Sequence, residues 1–459
     1  MAHTVMILLA LCGMGLLFFW PAQASADNPI VQTSYTADPA PMVWNDTLYI
    51  YTSHDLEGST WFTMPDWRCY ATTDMKNYTD LGAVMSATDF SWGEVNTAWA
   101  AQCIERNGKF YFYVTVTRAA GGGRCIGVAV ADSPAGPFRD ALGKPLCGPN
   151  WDYIDPTVFI DDDGQAYLYF GNPQLYFVRL NEDMISCSGR ITKVPMTQEA
   201  FGTRPGGDER HQTLYEEGPW FCRRGGLYYM LYAASGIPEN ICYSTSEGPT
   251  GRYTFRGVIM PTEGGSFTNH CGVMDYRGHS YFFYHNGQLP GGGGFTRSVA
   301  VEEFAWREDG TIPEIRMTRE GPAQLEWLSP YDRVEAETIC YSQGVRTERC
   351  ARGGMNLCRL QDGGYVKVAG VDFASGAERF TACVASGGEG GVIELRLDGV
   401  DGTLIGSCAV TNTGGWQEWQ EASCRVGGAQ GVHDLYLVFR GPDGGMFGVD
   451  WWQFAGKEK

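Results

Sequence analysis

The chain has 459 residues and carries 34 Lys and Arg against 53 Asp and Glu, a formal charge of −19 at pH 7. Such an acidic surface repels phosphate backbones, which excludes nucleic acid as a natural partner. Only 19% of residues are charged, 13% are aromatic and 61 are Gly. That balance excludes disorder, coiled coil and helical bundle and favours a β-rich chain with many tight turns. At roughly 100 to 200 residues per domain, the length allows two or three domains.

Val5 to Trp20 is almost wholly apolar and is followed by Pro21 and the small-residue site Ala24-Ser25-Ala26. Residues 1–26 therefore read as a secretory signal peptide, too short to span a bilayer, and the mature protein is expected to be secreted and free of the membrane. Beyond Cys12 the cysteines fall into two even groups, from Cys69 to Cys271 and from Cys340 to Cys424. An even count in an exported chain implies disulfides, whose pairing the sequence leaves open. No CxxC or HExxH occurs, which disfavours structural zinc and zincin chemistry. The Gly291 to Gly294 run lacks the Lys-Ser/Thr of a phosphate loop; it reads as a flexible loop, and no organic cofactor is expected.

From about residue 30 a turn followed by a Tyr-containing strand recurs five times, at Asn45-Asp46-Thr47-Leu48-Tyr49, Asn107-Gly108-Lys109-Phe110-Tyr111, Asp163-Gly164-Gln165-Ala166-Tyr167, Arg224-Gly225-Gly226-Leu227-Tyr228 and Arg277-Gly278-His279-Ser280-Tyr281. The tyrosines stand 62, 56, 61 and 53 residues apart. A long period with several strands per unit and no amphipathic helix describes propeller blades, so five blades are predicted between about residues 30 and 316. Asp161-Asp162-Asp163-Gly164 lacks the spacing and terminal Glu of a calcium loop and is expected to be a hairpin turn.

Counting back from the repeat tyrosines, Asp38 is 11 residues before Tyr49, Asp155 is 12 before Tyr167, Glu217 is 11 before Tyr228 and His270 is 11 before Tyr281. In the second blade the corresponding place is Trp99 or Ala100. Similar offsets in equivalent blades predict that these side chains converge at the mouth of one funnel. Pro after an acid, as in Asp38-Pro39 and Asp155-Pro156, is expected to hold that acid extended at the start of a strand. Clustered carboxylates repel one another and raise at least one pKa, providing an acid and a base at one pH. That is the equipment for hydrolysing a glycosidic bond. Trp99, together with Trp92, is a candidate aromatic wall for a sugar.

From Thr36 to Ile315 the chain resembles glycoside hydrolase family 43, most closely its arabinoxylan arabinofuranohydrolases. The resemblance is carried by Tyr35-Thr36-Ala37-Asp38-Pro39-Ala40-Pro41, Ile154-Asp155-Pro156-Thr157, Glu216-Glu217-Gly218-Pro219-Trp220, Phe267-Thr268-Asn269-His270 and Gly294-Phe295-Thr296-Arg297. It implies a five-bladed propeller that inverts anomeric configuration, with Asp38 as general base, Glu217 as general acid and Asp155 as the carboxylate that tunes the acid and orients substrate. Glu216 competes for the acid role, but side chains alternate along a strand and the family's Glu-Gly-Pro pattern selects Glu217. The resemblance further implies that Arg297 reaches the sugar and that His270 lines the central channel near a calcium or water site, with His285 as a second candidate for that place.

After Ile315 the repeat stops. A linker is expected over residues 319–331, separating a propeller over 27–318 from short alternating strands between Gly-rich turns over 332–459, which read as an antiparallel β-sandwich of jelly-roll type. This second domain resembles a family 6 carbohydrate-binding module through Val334-Glu335-Ala336-Glu337, Gly363-Gly364-Tyr365-Val366-Lys367-Val368, Thr413-Gly414-Gly415-Trp416-Gln417 and Val449-Asp450-Trp451-Trp452-Gln453-Phe454. By that resemblance Glu335, Glu337 and Asp450 hold a structural calcium and Trp416 stacks on sugar. The chain departs from the pattern at Arg359, where relatives commonly have tyrosine, and at Gly448, where they often have asparagine. Those departures leave open whether the module binds through its usual cleft, through another face, or serves as a docking platform.

The whole reading is a secreted, monomeric, exo-acting α-L-arabinofuranosidase that removes arabinose from arabinoxylan. A β-xylosidase or arabinan-degrading enzyme of the same fold is the alternative, and a non-catalytic sugar-binding propeller is the alternative of another class. Asn45-Asp46-Thr47 and Asn77-Tyr78-Thr79 are glycosylation sequons.

Overall fold

The computed structural model describes residues 27–442 and 445–456, so the expected signal peptide lies outside the described residues. Five antiparallel sheets follow one another along the chain, each opening with its innermost strand: Tyr35–Trp44, Trp99–Arg106, Thr157–Ile160, Tyr215–Arg224 and Gly272–Tyr276. Each of these strands touches the next, and Gly272–Tyr276 touches Tyr35–Trp44, which closes the ring. The repeat tyrosines lie in the second strand of every sheet, Thr47–Asp55, Lys109–Thr117, Ala166–Phe170, Leu227–Ala234 and His279–Asn286. Rings from neighbouring blades pack face to face or tilted, as Tyr169 does on Phe221 at 4.4 Å and Tyr51 on Phe112 at 5.4 Å. Such contacts combine large apolar burial with favourable ring geometry and are the reason for the aromatic repeat.

The fifth sheet has three strands, and the N-terminal segment runs along its outer edge. There the Ile30 N–H donates to the Val299 carbonyl at 2.9 Å and the Asn28 amide donates to that of Val301 at 2.9 Å. The first and last parts of the propeller are thereby tied together, which leaves few unpaired backbone groups at the closure.

From Val334 onward two sheets face each other around a core that includes Phe380, Leu395, Leu437 and Trp452. One contains Met355–Cys358, Gly448–Gly456 and Ala377–Ala385; the other contains Tyr365–Asp372, Val432–Arg440 and Gly391–Leu397. Gly391–Leu397 alternates buried and part-exposed residues, which gives it one buried face, whereas Tyr365–Asp372 is buried on both. The strand Thr338–Ile339 leaves the sandwich and pairs with Tyr78–Ser86 on the outer edge of the first blade. Residues 319–331 are bound on both sides: the Leu325 N–H donates to the Asp74 carbonyl and the Leu328 N–H to that of Gly370.

Polar groups fasten the two parts together. Lys76 and Lys367 both donate to the Asp27 carboxylate, at 2.6 and 2.7 Å. Asn77 is buried and makes a reciprocal pair with Ala369, its Nδ2 donating to the carbonyl at 2.9 Å and its Oδ1 accepting from the N–H at 2.8 Å. The second sequon is therefore closed to a glycan in the folded protein.

The expected disulfides do not form: all fourteen described cysteines are thiols. Most occupy buried positions on strands, where cysteine acts as a small apolar residue, so an even count does not require cross-links. The sulfurs of Cys147 and Cys187 come within 3.8 Å, a contact rather than a bond.

Asn77→Ala removes three side-chain hydrogen bonds, one of them to Asp74, and leaves the buried Ala369 N–H without a partner while Gln324 still donates to the Ala369 carbonyl. A loss of about 2–4 kcal/mol in unfolding free energy is expected in chemical denaturation.

Candidate active site

The site is built on a backbone device shared by three blades. Asp38-Pro39, Asp155-Pro156 and Gly218-Pro219 each place the residue before proline at positive φ, 53°, 58° and 58°. Each is followed at once by a paired residue of the innermost strand: Ala40 opposite Tyr51, Thr157 opposite Tyr169 and Trp220 opposite Leu231. Two expectations are corrected here. Proline does not hold Asp38 and Asp155 extended; both adopt the left-handed conformation, at a cost of about 1–2 kcal/mol each. The equal offsets of Asp38 and Glu217 also do not mark equivalent positions, because Gly218 is the counterpart of Asp38 and Glu217 stands one residue earlier.

Specific hydrogen bonds hold this strained backbone. The Asp38 N–H donates to His285 Nδ1 at 3.2 Å, the Asp155 N–H to Thr115 Oγ1 at 2.8 Å, and the Gly218 N–H to Asp155 Oδ2 at 2.9 Å. Glycine is required at 218, since a Cβ there would lie 3.1 Å from His270 Nδ1 at a φ that side chains avoid. Through these contacts the three carboxylates and His270 share one space: Asp155 binds Gly218, Gly218 abuts His270, and His270 Nδ1 is 3.9 Å from Asp38 Oδ1.

The carboxylates differ in ionisation. Burial works to raise the pKa of Asp38, but the adjacent Arg297 and the Ser53 hydroxyl outweigh it and hold Asp38 below the usual carboxylate value. Ser53 Oγ donates to Asp38 Oδ2 at 2.8 Å, and Arg297 Nη1 donates to Oδ1 at 3.2 Å. Arg297 is itself clamped by Asp55, with Nε and Nη2 each donating at 2.9 Å, and its guanidinium lies 5.3 Å over the Phe62 ring. On the other side of the site, burial and the neighbouring carboxylates Glu217 and Asp38 push Asp155 well up. Burial likewise raises Glu217, reinforced by Glu216 and Asp38 and partly opposed by a hydrogen bond from the Asn172 amide. Asp155 and Glu217 thus retain a proton where Asp38 is ionised. Glu216 turns away and pairs with Arg204.

Sequence reasoning missed several residues here. Glu239, 1% exposed, accepts from the Asn269 N–H at 2.6 Å, and burial together with Glu217 pushes its carboxyl well up. Trp61, Phe62, Phe267 and Phe295 form a connected cluster with centroid spacings of 4.9–6.1 Å beside Arg297. Phe267 and Phe295 lie inside the motifs that mark the site, but only the fold brings Trp61 and Phe62 to them. Gly294 packs against the Phe267 ring with no space for a Cβ, so this part of the glycine run serves close packing.

Trp99 lies on the Arg124 side of the site. Its indole N–H donates to the Phe62 carbonyl at 3.2 Å and Arg124 covers the ring at 5.0 Å. Trp92 instead packs on Phe90 at 5.1 Å. His285 is fully buried, with Nε2 at 3.0 Å from the Thr268 carbonyl and Nδ1 accepting from Asp38, an arrangement that defines its tautomer. Burial and Arg297 push its pKa down to about 3. With both nitrogens engaged, His285 positions the Asp38 backbone and is unavailable as a metal ligand, which corrects the sequence expectation.

In the sandwich, Glu335 pairs with Arg333 at 2.8 Å, and Arg333 also lies 3.8 Å from Asp450. Among the described residues no three His, Cys, Asp or Glu converge as a metal cluster, so the expected calcium trio is not assembled. Glu337 nevertheless has a buried Oε2 without a partner, and burial pushes its pKa up to about 9. Trp416 is 50% exposed and rests on Gly387. A Cβ at Gly448 would lie 3.0 Å from the Leu357 carbonyl and 3.3 Å from the Trp419 ring, a tight fit for any side chain there.

A closed ring of sheets with ionised and protonated carboxylates buried around its axis defines a site suited to acid–base hydrolysis of sugars. Residues 26–312 match glycosyl hydrolases family 43, and residues 335–456 match the carbohydrate binding module of family 6. The chain belongs to glycosyl hydrolase family 43. It is 33% identical to an arabinoxylan arabinofuranohydrolase of Bacillus subtilis (strain 168), over 93% of this chain and 92% of that one. A namesake from Paenibacillus polymyxa is 32% identical, over 93% of this chain and 74% of that protein. The crystal structure of a family 43 arabinoxylan arabinofuranohydrolase from Bacillus subtilis in complex with cellotetraose superposes with a TM-score of 0.81 at 31% identity, covering 94% of this chain and 98% of that one.

Ser53 and Asn172 donate to the ionised forms of Asp38 and Glu217, so losing either bond raises the pKa of its carboxyl. In the pH profile of kcat/KM, Ser53→Ala is expected to move the acid limb up and Asn172→Ala the alkaline limb up, each by about one unit. A downward shift of either limb contradicts the assignment.

Proposed function

We propose that the chain is a secreted, exo-acting, inverting α-L-arabinofuranosidase that removes arabinose side chains from arabinoxylan. The observation that carries this reading is the opposed ionisation of Asp38 and the Asp155/Glu217 pair within one buried site. Relatives named as arabinoxylan arabinofuranohydrolases, matched over nearly the full chain, support the substrate.

In this reading Asp38, ionised beside Arg297, takes a proton from water as the water attacks the anomeric carbon. Glu217 delivers its proton to the glycosidic oxygen as the carbon–oxygen bond breaks, and configuration inverts in one displacement. Asp155 accepts from the Gly218 N–H, fixing the backbone beside Glu217, while burial with Glu216 and Asp38 nearby keeps the acid protonated. Arg297, steadied by Asp55, orients Asp38. His270 lines the space between acid and base, and Trp99 and the Phe62 cluster offer apolar faces to the sugar. Trp416 is a platform for a second sugar contact. The mature protein acts as a monomer.

Incubation with wheat arabinoxylan, linear arabinan and xylo-oligosaccharides, followed by identification of the released sugar, tests the reading. Free arabinose from arabinoxylan is expected. Xylose from xylo-oligosaccharides in its place supports a β-xylosidase, and no product from any substrate refutes both. Asp38→Asn and Glu217→Gln are each expected to lower kcat by about 100- to 10,000-fold.

A further inference from the structure

Between the two domains lies a cavity of about 870 Å³, at the upper end of the roughly 300–1,000 Å³ of small-molecule sites. Its propeller wall is made by residues 32–35, by residues 54–57 and by Leu289 and Pro290. These segments are the lead into the first innermost strand, the end of that blade's second strand, and the loop after Asn286. All border the end of the propeller at which Asp38 stands. Asp55 belongs to both places, lining the cavity while clamping the Arg297 that touches Asp38. The opposite wall is sandwich, residues 341–348 with Cys358, Arg359 and Gln361.

The chemistry of the walls narrows the occupant. Arg68, Arg346 and Arg359 face Asp55, Glu57 and Glu348, so formal charges balance. Arg346 spends its charge on Glu57 across the gap at 3.2 Å, and Asp55 spends its own on Arg297. Most of the remaining lining consists of amides and hydroxyls, as at Gln32, Gln343 and Tyr341. A balanced, hydroxyl- and amide-rich cleft suits an uncharged polyhydroxylated chain better than an anion or an apolar segment. Arg359 is exposed, and among the described residues its guanidinium has no hydrogen-bond or ion-pair partner. It is one of the two residues at which the module departs from its family pattern, and it lines this cavity while Trp416 does not.

We propose that the interdomain cleft is a main-chain subsite that holds unsubstituted β-1,4-linked xylose units while the arabinose branch of the same polymer occupies the pocket at Asp38. Arg359 and Gln343 donate to sugar hydroxyls from the module side. This rests on the arabinoxylan reading above, and it assigns the module a part in presenting substrate rather than in remote anchoring.

Binding of arabinose-free xylohexaose is to be measured by calorimetry on the Glu217→Gln protein. Arg359→Asn is preferred to alanine because residue 359 has φ 48°, which asparagine tolerates. Arg359→Asn and Gln343→Ala are each expected to weaken binding about tenfold, and Arg359→Asn to do so again in a Trp416→Ala background. Unchanged affinity in both single variants, or a loss confined to Trp416→Ala, overturns the proposal. Turnover of an aryl α-L-arabinofuranoside by the unmutated protein reads the activity separately, so failure of the arabinofuranosidase reading is distinguishable from failure of the subsite.

Discussion

One buried guanidinium governs the catalytic half of this protein. Arg297 directly precedes the last strand of the last blade, donates to Asp55 at the end of the first blade's second strand twice from its guanidinium and once from its backbone N–H, and reaches Asp38 on that blade's innermost strand. The ring is therefore closed, in part, by an ion pair whose third member is the ionised carboxylate of the site. Breaking a buried pair of this kind costs about 3–5 kcal/mol because a charge is left uncompensated. Ring closure and the low pKa of Asp38 are consequences of the same contact. His285 completes the arrangement by accepting the Asp38 N–H, which holds the aspartate in its left-handed conformation. The far side of the axis is organised oppositely: among the described residues no clamp of this kind meets Asp155 and Glu217, and burial with repulsion from neighbouring carboxylates keeps a proton there.

The blade architecture was legible because each blade repeats the same local problem, a turn followed by an aromatic strand, and hairpin chemistry is local. The identities of Asp38, Asp155 and Glu217 were legible for a related reason, since acids beside proline at similar offsets stand out. Their conformations were not. Left-handed φ at Asp38 and Asp155 is stabilised by His285 and Thr115, residues far along the chain that no local rule connects to an Asp-Pro pair. The match in offset between Asp38 and Glu217 was fortuitous, because Tyr228 stands one place after Leu227, the partner of Arg224, whereas Tyr49 stands two places after Thr47, the partner of Trp44. Glu239 and Phe62 escaped notice for want of any local mark; only the assembled ring brings them to the site. The disulfide expectation failed because parity is a weak signal when cysteine also serves as a small core residue. The calcium trio failed on Arg333, a side chain that the carbohydrate-module motif does not register.

The junction between the domains follows from the same economy of buried polar groups. Asp27 is shared by Lys76 and Lys367, and Asn77 bridges to Ala369. A propeller strand edge is extended by Thr338–Ile339 from beyond the linker. These directional contacts hold the sandwich beside the catalytic face and leave a polar cleft where the surfaces diverge. Substrate recognition is then a property of two walls at once, and Arg359 gains a role on the shared wall that a tyrosine in an isolated module would not have.

Everything proposed for the site turns on Asp38 being ionised while the Asp155/Glu217 pair holds a proton at the same pH. Infrared difference spectroscopy of the protein at mildly acidic pH reads this directly through the protonated-carboxyl band. The band from this site is expected to disappear when Asp155→Asn and Glu217→Gln are combined and to persist in Asp38→Asn. A band that persists in the double variant but vanishes in Asp38→Asn would contradict this assignment.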